Sequence, residues 1–255
     1  MALALSVRYR CAVGALAVRC RCDVGKSRPL TTGLGMLRRL NPPTDTAALP
    51  LVHVDDHRVV ADKPAGLLCV PGRGPDLADC LASRVQAHWP DAQVVHRLDM
   101  ATSGLVVFGR GAAAQRSLSI AFADRRVHKR YEAVVAGLVT DDAGEITLPL
   151  AADWPNRPRQ QVDHAAGKPS LTRWQVLARD EAAGTTRLAL TPVTGRTHQL
   201  RLHLAAIGHA ILGDGLYAPA PWAQAAPRLL LHACALGLPP LADAPALHLT
   251  SPAPF

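Results

Sequence analysis

Residues 96–104 run His-Arg-Leu-Asp-Met-Ala-Thr-Ser-Gly and place one carboxylate, Asp99, between a cation and a flexible Thr-Ser-Gly turn. An ionised carboxylate can attack a carbon or take a proton, and a neighbouring cation keeps it charged. Val94-Val95 precedes the stretch and Leu105-Val106-Val107-Phe108 follows it. Asp99 is therefore expected where a buried strand breaks into a loop and re-enters the sheet. Taken alone, an Asp that merely closes a turn explains the stretch equally well.

A second polar constellation spans Thr194-Gly195-Arg196-Thr197-His198-Gln199-Leu200-Arg201-Leu202-His203 at the expected start of a helix. Thr194 or Thr197 can cap that helix, and free backbone N–H groups with Arg196 and Arg201 would make a place for anions. An ordinary capped helix with solvated arginines is the competing explanation. His96, His198 and His203 have no metal-ligand spacing, so structural hydrogen bonding is expected of each and no metal is expected. Other signatures fail on inspection. Gly25-Lys26-Ser27 has Cys20 where a P-loop needs glycine, Gly72-Arg73-Gly74 has no third glycine for a dinucleotide site, and no Gly-x-Ser-x-Gly or His-Glu-x-x-His occurs.

These residues must be positioned by a chain of 255 residues, 49% hydrophobic, long enough for a full core. No apolar run of membrane-spanning length is present, and arginines interrupt the N-terminal apolar stretch where a secretory signal would have its core. The net charge of +8 is concentrated in residues 1–45, which carry +6, leaving the remainder nearly neutral. Any electrostatic footprint must be local. One is the run from Arg110 to Arg130, where six cations face only Asp124, although a solvated helix face accounts for such a run as well. The six cysteines lack metal spacing and read as reduced, mostly buried thiols.

Strands are predicted over 49–54, 58–62, 93–97, 104–109, 131–138, 145–149, 171–178, 186–192 and 228–237, and helices over 76–88, 111–123 and 197–207. Consecutive strands outnumber helices, which indicates an α+β domain with a mixed, mostly antiparallel sheet flanked by helices. The Pro-rich stretch 149–169 reads as a long loop. Residues 1–40 lack periodicity and read as an extension outside the 41–255 domain. Translation from Met36 is one expectation for that segment and an Arg-rich presequence the other.

Five ordered stretches resemble the RluA-type pseudouridine synthases. They are Asp62-Lys63-Pro64-Ala65-Gly66-Leu67, His96-Arg97-Leu98-Asp99 with Thr102-Ser103-Gly104, Lys129-Arg130-Tyr131-Glu132-Ala133, Thr194–Arg201 with Ile207–Asp214, and Leu229-Leu230-Leu231-His232-Ala233. Asn41-Pro42-Pro43, Asp153-Trp154-Pro155-Asn156-Arg157-Pro158 and Met100-Ala101 are most similar to members acting on both 23S rRNA and tRNA. Ala210 departs from the proline usual there.

The resemblance implies the pseudouridine synthase fold and isomerisation of uridine to pseudouridine in RNA stem-loops, with no cofactor, no membrane and no obligatory protein partner. A cytoplasmic monomer is expected. It implies catalytic roles for Asp99, Tyr131 and Arg196, with Arg196 as the ion-pair partner of Asp99 and Tyr131 as the base taking the C5 proton. RNA contacts are expected from Arg97, His96 and Arg201, Arg97 filling the space an extruded base leaves. Leu202 and Ile211 are the candidate uracil contacts, although apolar side chains there suit the core better. A nucleoside or glycoside hydrolase, or a silent RNA-binding module, would be the alternatives.

Overall fold

The computed structural model describes residues 49–255, apart from 75 and 76. The expectations for residues 1–48, including the start at Met36, lie outside the described residues. The chain opens with an antiparallel pair, β1 (Leu51–Val54) and β2 (Arg58–Lys63), followed by α1 (Leu81–His88). Helix α1 begins later than 76 because Cys80 is its cap: the Sγ accepts from the Ser83 amide at 3.3 Å while Ser83 Oγ accepts from the Cys80 amide at 3.1 Å. Strand β3 (Ala92–Val94) turns through residues 95–102 into β4 (Ser103–Arg110), its antiparallel neighbour. Asp99 thus lies in the loop between two paired strands, as the flanking apolar runs predict.

Helix α2 (Gly111–Ala123) follows, then β5 (His128–Ala136), β6 (Ala143–Thr147), β7 (Leu150–Ala152), β8 (Gln160–Val162), β9 (Leu171–Asp180) and β10 (Thr185–Pro192). Helix α3 (Gln199–Ala206), β11 (Leu231–Leu238) and β12 (Leu247–Thr250) complete the order. The main sheet runs β1-β2-β4-β11-β5-β10-β9-β6, with β3 against β4 and β12 against β11. The β11–β4 pairing is parallel and the other pairings are antiparallel. The mixed, mostly antiparallel α+β architecture is the one expected from the sequence.

Alternation decides which helix covers which face. Val59, Ala61, Val106 and Phe108 pack under α1, whereas Val60, Leu105 and Val107 pack under α2. Further along the sheet, Ala133, Val135, Leu188 and Leu190 form a cluster with Leu200 and Leu204 of α3. Burying each Val, Leu or Phe among them contributes about 1.5–3 kcal/mol. Tyr131 packs against both the α1 cluster and the α3 cluster, so it sits at the seam between them. Gly104 makes the central parallel pairing possible, since a Cβ there would run into the Ala233 backbone.

Three strands are absent from the sequence-based prediction. β7 and β8 form a separate two-stranded hairpin inside the stretch read as loop, and β12 extends the edge beside β11. Strands of three residues, as β7 and β8 are, or of four, as β12 is, are too short for alternation to stand out.

Candidate active site

The β3–β4 loop, β5, α3 and the segment leading into it enclose a cavity of about 530 Å³. Asp99 is the one carboxylate among the described residues lining it, and Arg97, Arg125, Lys129, Arg196 and Arg201 supply cationic groups. Tyr131 lies on its wall with Leu98, Leu200 and Leu231. Asp99 and Tyr131, far apart in sequence, therefore face one space.

Arg201, and not Arg196, is the cation of Asp99. Its Nη1 donates to Asp99 Oδ2 at 3.4 Å, while Nε and Nη2 donate to the two Asp214 oxygens at 2.8 and 2.7 Å. Among the described residues the Arg196 guanidinium reaches only the Pro169 carbonyl, at 3.4 and 3.5 Å, on the exposed rim. The backbone explains the exchange. His198 adopts a left-handed conformation, φ 54°, immediately before α3, and the helix it starts carries Arg201 inward. Neither Thr194 nor Thr197 caps α3. Instead the Gln199 side chain turns back, its Oε1 accepting from Thr194 Oγ1 at 2.7 Å and from the Arg196 amide at 3.0 Å.

Arg201 is 5% exposed, so it is a buried ion-pair partner rather than an RNA contact. Burial works against its charge, yet the Asp214 hydrogen bonds and the Asp214 and Asp99 charges outweigh it and raise its pKa. Asp214 also accepts from the Leu216 and Tyr217 amides. Gly213 before it has φ 74°, and a Cβ there would run into the Arg228 carbonyl. With Asp214 taking two short bonds and Asp99 one long one, Asp99 Oδ1 has no hydrogen-bond partner among the described residues, and Asp99 lines the cavity. His198 completes the surround, its Nε2 3.9 Å from Asp99 Oδ2 and its Nδ1 2.7 Å from the Tyr217 hydroxyl. Burial lowers the His198 pKa against the pull of Asp99, leaving a neutral ring.

Burial, with Asp99 charge as a second cause, raises the Tyr131 pKa well above the usual phenol range. The phenol is neutral. His96 accepts from the Val107 amide at 3.1 Å through Nε2 and stacks on Phe122 with centroids 4.5 Å apart. Desolvation, helped by Lys129, holds its pKa down at about 3, so His96 is a neutral brace for the loop. Arg97 is exposed at the cavity.

Ile211 and Leu202 do not line the cavity. Ile211 is fully buried in the α3 cluster and bridges Val135, and Leu202 is half-buried on α3. An apolar residue's type cannot tell a pocket wall from the core behind it; Leu98, Leu200 and Leu231 occupy the wall.

Lys63 is a further contributor that spacing alone does not reveal. It is fully buried, and its Nζ donates to the carbonyls of Pro64, Leu67 and Met100 at 2.9, 2.8 and 3.0 Å. It ties the turn after β2 to the residue following Asp99. Desolvation lowers its pKa to about 8, with the Asp99 charge acting in the opposite direction.

Fold and site place the chain among RNA-modifying isomerases: the family model described as RNA pseudouridylate synthase matches residues 57–206. The chain is 51% identical over 192 residues to the dual-specificity RNA pseudouridine synthase RluA of Pasteurella multocida, covering 75% of this chain and 87% of that one. It is 44% identical to the protein of the same name from Escherichia coli, over 86% and 99% of the two chains. The chain belongs to the RluA family of RNA pseudouridine synthases. Among solved structures, human RNA pseudouridylate synthase domain containing 1 superposes with a TM-score of 0.71 at 28% identity, covering 84% of this chain and 87% of that one.

Proposed function

We propose that this enzyme isomerises uridines in two kinds of stem-loop, a tRNA anticodon stem-loop and a 23S rRNA hairpin, with Asp99 as its nucleophile. The dual specificity is carried over from the relatives' names. The observation that carries the chemical assignment is a half-held carboxylate, 26% exposed, in a cavity whose other lining side chains are cationic, neutral polar or apolar. Isomerisation breaks the bond between ribose C1′ and uracil N1, turns the base, joins C1′ to C5 and releases the C5 proton. Asp99 either adds to the sugar or removes its 2′ proton; both need the ionised form, and Arg201 supports that form.

Tyr131 at the seam would lie against the base and relay the C5 proton, its hydroxyl passing its own proton to water as it takes the one from C5. Exposed Arg97 suits the stacking space left by the extruded nucleotide. Arg196 on the rim suits a phosphate contact.

A basic groove of about 500 Å³ continues beyond the cavity, sharing Phe122, Arg125, Lys129, Pro192 and Val193 with it and adding Arg130 and His248. Such a surface supports a polyanion running past the site. With Asp99 the one acid among the described lining residues, the cavity lacks the second carboxylate that paired-acid glycosidases use.

In this reading the catalytic unit spans 41–255 and works as a cytoplasmic monomer without cofactor. Among the described residues no helix is long and apolar enough to cross a membrane. The test is to incubate the enzyme with each stem-loop transcript and map carbodiimide adducts by primer extension. A stop at one uridine in both RNAs is expected. Free uracil with abasic RNA would overturn the isomerase reading, and modification of one RNA alone would overturn the dual specificity.

A further inference from the structure

We propose that the tip of the β7–β8 hairpin, residues 153–159, is a stacking platform for one unpaired base of the RNA, separate from the base that enters the Asp99 cavity. The inference rests on the RNA-isomerase reading above and adds a second contact point to it.

Trp154 is 68% exposed, the highest value among the exposed large hydrophobic side chains of the described residues. It is held in place nonetheless. The Arg157 guanidinium lies 3.3 Å from its ring centroid, covering one face and leaving the other open. Asp153 braces the turn, its carboxylate accepting from the Asn156 Nδ2 at 3.0 Å and from the Asn156 amide at 3.3 Å. The Asp153 and Arg159 backbones close the tip through a bond of 3.0 Å. An indole backed by a guanidinium on a pre-ordered turn is suited to stacking on a base of any identity.

Charge favours the same occupant. Arg157 and Arg159 have no carboxylate partner among the described residues, and the one acid of the tip, Asp153, is engaged by Asn156. A nucleotide brings both a flat apolar base and a phosphate, which matches indole and cations together.

The platform is also joined to the reacting centre. The Gln160 amide donates to the Tyr217 hydroxyl at 2.8 Å, and that hydroxyl pairs with His198 beside Asp99. Arg159 lies over the Tyr217 ring, 5.5 Å from its centroid. Two side chains thus separate the hairpin root from the carboxylate, so one RNA loop can supply the reacting uridine and the stacked base.

The test uses the full chain and a stem-loop that the wild type modifies, with a series carrying one abasic nucleotide at each other loop position. Trp154→Ala should raise KM roughly 5- to 100-fold and leave kcat unchanged. Trp154→Phe should recover most of the loss. One abasic position should cost the wild type as much as Trp154→Ala does, and cost Trp154→Ala nothing further. An active wild type with KM unmoved by Trp154→Ala, or losses that add at every abasic position, would overturn the platform alone. A wild type that modifies no RNA would overturn the isomerase reading with it.

Discussion

Two buried arginines, Arg201 and Arg58, show how the same chemistry serves different ends. Arg58 is 1% exposed, and its Nε and Nη2 meet Asp55 Oδ2 at 3.0 and 2.8 Å while both Nη groups share the Pro245 carbonyl at 3.2 Å. Asp55 in turn accepts from the His57 and Arg58 amides and from His53. That cluster is closed, with its charges fully engaged, and it joins the start of β2 to the chain before β12. The Arg201 cluster is open: one guanidinium serves two carboxylates unequally, locking Asp214 and only restraining Asp99. A carboxylate with both oxygens engaged is scaffold, whereas one with an oxygen to spare can react.

The sharpest way to break the contrast is Asp99→Asn. Turnover should fall by at least about a thousandfold, with RNA affinity and thermal stability near wild type, checked by single-turnover assays, filter binding and calorimetry. Arg201→Gln should come next. It leaves Asp214 buried without its partner and should cost about 3–5 kcal/mol of stability as well as most activity, measured by denaturant unfolding.

Asp55→Asn should affect stability only, by about 2 kcal/mol, with kcat unchanged. Burial would raise the Asp55 pKa, but bonds from His53, Arg58 and the His57 amide hold it well below its ordinary 3.8. A depressed carboxyl pKa contributes stability that is complete above the unfolded value and fades as pH falls below about 4. The wild type should therefore lose stability toward the variant's level in acid, in unfolding curves taken across that range. The smallest effect belongs to Arg196→Ala: stability within about 0.5 kcal/mol of wild type and a salt slope for RNA binding reduced by about one. A loss of turnover in Arg196→Ala as large as in Arg201→Gln would erase the distinction between them.

The sequence makes some of this legible and hides the rest for physical reasons. The Asp99 loop is readable because a polar cluster interrupts two apolar runs, and that pattern has one structural meaning. Tyr131 is readable through its place after Lys129-Arg130. The choice between Arg196 and Arg201 is not. It depends on a left-handed His198 and on Asp214 thirteen positions beyond Arg201, and neither local spacing nor helix period carries that information. Leu202 and Ile211 fail for another reason, since pocket wall and core demand the same residue types. The β7–β8 hairpin is hidden by its brevity, although the Trp154 and Arg157 that mark its tip stand in plain view.

The most direct measurement is tritium release from C5-labelled uridine in a stem-loop transcript, run side by side with wild type, Asp99→Asn and Arg196→Ala. Release by the wild type, substantial release by Arg196→Ala and none above background by Asp99→Asn is the predicted result. Release by Asp99→Asn at a rate near wild type would contradict the assignment of the half-held carboxylate as the reacting group.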